Sequence, residues 1–240
     1  MDVLLLHAGI ADHRMWAPQV EALEAAGHRA IASDLPGYGD APLRPGSVDY
    51  AAEAAALLER PAAVVGASFG GRVALALAVS RPELVERLVL VGAALGGWEW
   101  SEAAGAALEE EETLLEAGDL RAAAEQQARM WLAPGTAADV HELTVAMTLR
   151  SYEQQLPMED QVRAVWPEPP AEARLGEIVV PALVVVGSED LDDVHAMSGR
   201  IAAELPDARL VTIEGAGHLP SLERPDELNR LLLDFLQDGV

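Results

Sequence analysis

Three residues set far apart in the 240-residue chain, Ser68, Asp190 and His218, form its most specific chemical pattern. Ser68 is the centre of Gly66-Ala67-Ser68-Phe69-Gly70, an instance of G-x-S-x-G. A serine hydroxyl is a poor nucleophile at neutral pH. It needs a base within hydrogen-bond reach, and the base needs a third group to fix its tautomer. His218 ends Glu214-Gly215-Ala216-Gly217-His218, whose glycines leave an imidazole room, and Asp190 ends Gly187-Ser188-Glu189-Asp190 after a valine run. Nucleophile, acid and base follow one another in an order found on open α/β sheets, and the chemistry is acyl transfer. Asp190 is the expected acid on loop position, with Asp193 the next alternative among neighbours Glu189 and Asp192. In a chain with 20 glycines the pentapeptide alone carries little weight. It gains weight because all three residues follow runs that read as strands.

The elements that would hold these residues alternate. Pro61 to Ser80 reads as a buried strand (Ala62–Gly66), a sharp turn at Ser68 and a helix rich in Ala, Leu and Val. A hydroxyl on such a turn stands clear of its backbone and beside unpaired helix N–H groups. Upstream, Asp2–Leu6 is a short apolar strand, Pro18–Ala26 a helix closed by Gly27, His28–Ser33 a weaker strand and Val48–Glu59 a helix. Downstream lies a strand at Arg87–Gly92. After the middle segment come Ile178–Val186, a helix near Ala196–Leu205, a strand at Arg209–Ile213 and a closing helix from Asp226 to Leu236. Strand alternating with helix argues an α/β fold with a mostly parallel, doubly wound sheet. Between Gly96 and Val165 the pattern turns helical with no convincing strand, and Pro167 to Pro170 is a stiff return linker. The expected organisation is a core of residues 1–94 and 171–240 with an inserted helical cap over 95–170.

Composition narrows the partners. Forty acids against 16 bases give a net charge of −24, which repels phosphate backbones and argues against nucleic acid. With no cysteine there is no disulfide, thiol nucleophile or Cys-based metal site, and no stretch reaches membrane-spanning length. The start, MDVLLLHAG, lacks the positive region of a signal peptide, so a cytoplasmic location is expected. Asp190, Asp192, Asp193 and His195 could be read as a metal site, but no second group of ligands accompanies them, and neither metal nor cofactor is expected. Asp34 is expected to cap its own turn, Asp12 and His13 to be surface polar residues with pocket lining as their alternative, and Glu109 to Glu112 to form a solvated helix face. The tryptophans and methionines of the insert are expected mainly as cap core, with an apolar pocket floor or roof as their further use.

The stretches LLLHAGI, SDLPGYG, GASFGG, VVVGSED and GAGHLPSLERPDEL together resemble the α/β-hydrolase family, in its esterase, lactonase and C–C hydrolase branch, over nearly the whole chain. The resemblance implies Ser68 as nucleophile, His218 as general base and Asp190 as its orienting acid. It also implies an oxyanion hole from the backbone N–H groups of Phe69 and Gly9, with His7 fixing that loop. Ala8 stands where the family usually has glycine, and a shifted loop would make Ile10 the donor. The family usually begins with an antiparallel hairpin before this first strand; without it the edge at His28–Ser33 is open, leaving a monomer or a homodimer as the expectation. The expected activity is cofactor-independent hydrolysis of a small, partly apolar ester or lactone through an acyl-enzyme. The same machinery serves C–C bond hydrolases and perhydrolases, and a non-catalytic ligand receptor is the reading from another class.

Overall fold

Strands buried on both faces should read as unbroken apolar runs, and the central strands here do so. The computed structural model describes residues 1–237. In chain order the elements are β1 (Asp2–Leu6), α1 (Ala17–Ala25), β2 (Arg29–Ala32), β3 (Gly46–Asp49), α2 (Tyr50–Ala56), β4 (Ala62–Ala67), α3 (Phe69–Ser80) and β5 (Val85–Val91). Then follow α4 (Glu102–Glu116), α5 (Leu120–Trp131), α6 (Ala138–Gln155), β6 (Val162–Val165), β7 (Ala182–Gly187), α7 (Asp192–Glu204), β8 (Ala208–Ile213), α8 (Pro220–Glu223) and α9 (Pro225–Gln237). Six strands pair in parallel in the order β2-β1-β4-β5-β7-β8. Every residue of β1, β4 and β7 is buried, whereas the edge strands β2 and β8 are partly exposed.

Alternation along each strand divides the core into two layers. Leu4, Val64, Leu88 and Val184 cluster with residues of α2, α3 and α7, while Val3, Val65, Val89 and Val185 cluster with those of α1 and α9. The chain runs from β1 outward to β2, then returns to β4 on the other side of β1 and continues outward to β8. The loops after β1 and β4 therefore diverge from neighbouring strand ends, and such a crevice is where open α/β sheets bind ligands. The helices α4 to α6 are inserted between β5 and β7.

Several boundaries depart from the sequence expectation. Gly46–Asp49 is a strand, not the start of a helix; it pairs in parallel with Val162–Val165, so the insert does contain a strand. Asp49 ends β3 and caps α2 by accepting a hydrogen bond from Ala52 N–H. The strand expected from Ile178 begins only at Ala182, because Pro181 has no N–H to give the ladder. Helix α7 starts at Asp192, where two acids complement the positive end of the helix, well before Ala196.

Candidate active site

The turn between β4 and α3 forces two backbones into contact. A Cβ at Gly66 would lie 2.3 Å from the Gly70 carbonyl oxygen, and one at Gly70 2.2 Å from that of Leu6, so only glycine fits. Between them Ser68 holds φ 49° and ψ −112°, the one non-glycine residue with positive φ among those described. Backbone bonds fasten this strained residue to β5: Ser68 N–H donates to Val91 O at 2.9 Å, and Ala94 N–H donates to Ser68 O at 3.0 Å. Gly70 N–H donates to His7 O at 3.0 Å and ties the turn to the end of β1.

His7 is wholly buried. Its Nδ1–H donates to Ala8 O at 2.9 Å and its Nε2 accepts from Leu35 N–H at 3.0 Å, which defines one neutral tautomer. Burial pushes its pKa down and favours that form. The ring thus ties Ala8, just after β1 and before Gly9, to the loop at Leu35. The Ala8 methyl lies in the core beside Ala11, and Ala8 N–H points to Met15 Sδ at 3.3 Å. Gly9 comes beside Phe69, the first residue of α3: a Cβ on Gly9 would sit 3.6 Å from Phe69 Cβ and 3.8 Å from Tyr38 Oη. Tyr38 packs on His7 and Phe69 with centroids 4.7 and 5.7 Å apart, and Phe69 meets Tyr50 and Trp166 edge-on. Tyr50 also borders an apolar cavity of about 330 Å³ with Leu115, Tyr152 and Val162.

His218 Nδ1 lies 2.7 Å from Asp190 Oδ2, with both side chains buried. Asp190 Oδ1 accepts from Leu191 N–H at 2.8 Å, which fixes the carboxylate plane. The ring sits beside the end of β5, where a Cβ on Gly92 would approach its Nδ1 to 3.1 Å. Its Nε2 is buried and has no hydrogen-bond partner within the protein, Ser68 Oγ included. Asp193 points elsewhere and accepts from Trp98 Nε1, Ser101 N–H and Ser101 Oγ. Of the two candidate acids, the fold brings Asp190 to the imidazole.

Other placements differ from the sequence expectation. Asp12 is fully buried rather than a surface polar residue; it caps the turn at His13–Trp16 and pairs with Arg14 at 2.6 Å. Asp34 caps its own loop through Asp40 N–H and also accepts from His13 N–H and Nδ1. Asp12, His13 and Asp34 bring ligand-type atoms together, but protein donors already occupy these oxygens. Glu111 departs from its solvated run to accept from Tyr152 OH, and burial raises its pKa. Two of the insert's tryptophans pack against the core of the fold, Trp131 on the His218 ring and Trp166 on Tyr50 and under Arg72, whereas Trp100 is exposed. Glu223, five residues after His218, is a buried carboxylate whose role composition does not suggest.

Known proteins resemble the chain over nearly its whole length. The sequence model described as the alpha/beta hydrolase family matches residues 3–231. A Variovorax paradoxus protein named as a carbamate hydrolase, RutD, is 33% identical over 98% of this chain and 91% of its own. The pimeloyl-[acyl-carrier protein] methyl ester esterase of Aeromonas hydrophila is 29% identical over 98% and 95%. A thermophilic esterase from Thermogutta terrifontis superposes with a TM-score of 0.79 at 25% identity, covering 99% of this chain and 89% of that one.

Proposed function

The chain belongs to the alpha/beta hydrolase family, and from that premise we propose that it is a serine hydrolase of small, partly apolar carboxylic esters or lactones. One observation carries the reading: a buried imidazole, oriented by Asp190 at 2.7 Å, keeps Nε2 free of protein partners and packs against Gly92, the residue after Val91, whose carbonyl holds the strained Ser68 N–H. Because Nδ1 bears the proton given to Asp190, Nε2 of the neutral ring offers a lone pair. Ser68 Oγ attacks the carbonyl carbon as its proton passes to Nε2. The oxyanion accepts hydrogen bonds from Phe69 N–H and Gly9 N–H. Collapse breaks the ester C–O bond, and the leaving alkoxide takes the proton from Nε2–H. Water then attacks the acyl-enzyme with His218 again as base, releasing the acid and restoring Ser68 Oγ–H. Each preorganised oxyanion donor is worth about 10²–10³ in kcat. The rings of Tyr38, Tyr50, Phe69 and Trp166 support an apolar substrate group.

A second acyl class is favoured by the relative named as a carbamate hydrolase, since a carbamate carbonyl passes through the same tetrahedral stage. The test is turnover of p-nitrophenyl acetate, butyrate and carbamate, with labelling by a fluorophosphonate probe, in wild type and Ser68→Ala. The expected result is labelling at Ser68 and a loss of about 10³-fold or more in Ser68→Ala. A folded wild-type protein that neither turns over these compounds nor takes the label at Ser68 refutes the proposal.

A further inference from the structure

One residue of the inserted helices holds His218 twice, by backbone and by ring. Trp131, the last residue of α5, accepts from His218 N–H at 2.8 Å through its carbonyl, and its ring lies on the His218 ring with centroids 4.3 Å apart at 35°. The indole is itself fixed. Its Nε1–H donates to Gln127 Oε1 at 2.7 Å; Gln127 donates to Gln126, and Gln126 donates to the Ala107 carbonyl in α4. Glu223 closes the clamp with both oxygens. Oε1 accepts from Ala133 N–H and Thr136 Oγ just beyond α5, while Oε2 accepts from Gly217 and Leu219 N–H on either side of His218. The two backbones touch so closely that a Cβ on Gly217 would lie 2.5 Å from Ala133 N.

We propose that Trp131 is a positioning residue for His218, so that the base is competent only while the end of α5 is seated on its loop. This rests on the serine-hydrolase reading above. His218 must take up and return a proton in each half of that reaction, and the indole face packed on the ring holds it in one orientation. The charged groups near the ring and its loop include Asp190, at Nδ1; Glu223, which accepts from backbone N–H groups and Thr136 Oγ1; Glu214 of the loop itself; and Arg224, whose guanidinium lies against Gly215. A consequence concerns substrate entry: the α5 end stays fixed, and any opening of the cap occurs elsewhere.

The test compares Trp131→Leu and Trp131→Phe in the full chain. With p-nitrophenyl butyrate, Trp131→Leu should lower kcat about tenfold with KM changed less than about twofold, and Trp131→Phe should recover to within about threefold of wild type. Equal losses in both variants, or a loss confined to KM, overturn the proposal. A second measurement needs neither turnover nor the Leu variant. A protonated imidazole quenches an indole it touches, and among the described residues no other tryptophan ring contacts a histidine ring. Acid quenching of emission should therefore be present in wild type and missing from both Trp131→Phe and His218→Ala. Quenching that persists in Trp131→Phe overturns the contact. A wild type that is inert to esters and unlabelled at Ser68, yet shows the quenching, sinks the hydrolase reading and leaves the clamp standing.

Discussion

At Ser68 the backbone stores energy that the hydroxyl needs for its exposure. With φ 49° and ψ −112°, a side chain occupies a region natural to glycine, at a cost on the order of 1–3 kcal/mol. The surroundings enforce it through Val91 O, Ala94 N–H and the contact of Gly66 with Gly70. Ser68→Ala keeps the Cβ and the strain, whereas Ser68→Gly removes both. Thermal melting should place Ser68→Gly above Ser68→Ala by about 1 kcal/mol, a shift of roughly 2–4 °C in a chain of this length. Equal melting of the two variants would show that the turn is unstrained. Residues of this kind were legible beforehand because strand ends and glycines mark them. Asp12 was not, since a buried acid paired two residues on with Arg14 looks in sequence like any polar loop. Glu111 was hidden by its neighbours, for a run of four glutamates says nothing about which one turns toward Tyr152.

Among the elements, those with local signals could be read and those that depend on distant pairing could not. The central strands are apolar runs bounded by Gly or Pro, and α9 buries Leu228, Leu232, Phe235 and Leu236 at helical spacing. The pair β3–β6 has four residues on each side, and each strand exists only because the other does. The seat of the insert on α7 was equally invisible. Asp193 there accepts from Trp98 Nε1 and from Ser101, which caps α4. These bonds, that of Ser101 first, hold the Asp193 carboxyl below its ordinary value of 3.8. The sign follows: a group whose pKa falls on folding adds stability above its unfolded pKa and loses it as pH drops through the folded value. Asp193→Asn should therefore cost about 1–2 kcal/mol at pH 7, and the gap to wild type should close below about pH 4. Melting curves of both proteins from pH 3 to 8 check this, and a gap independent of pH would show that the charge plays no part.

For the whole molecule the governing number is the excess of 24 negative charges. Arginines offset some of them locally: Arg60 and Arg29 both meet Asp2, while Arg81, Arg174 and Arg200 pair with exposed glutamates. Exposed pairs of this kind are worth about 0–1 kcal/mol each, and salt weakens them. Repulsion among the unpaired acids acts over the full surface and is screened by the same salt. From about 0.01 to 0.1 M the Debye length falls from about 30 to 10 Å, which spares contact pairs far more than long-range repulsion. Repulsion is therefore the larger loss, and sodium chloride should raise the melting temperature across that range. The same field surrounds the loops after β1, β4 and β7. For a neutral p-nitrophenyl ester kcat/KM should stay flat with salt, whereas for an ester bearing a carboxylate it should rise as repulsion is screened. A melting temperature that falls with salt would mean that the arginine pairs outweigh the repulsion, and equal salt responses of the two esters would mean that the field does not reach the site.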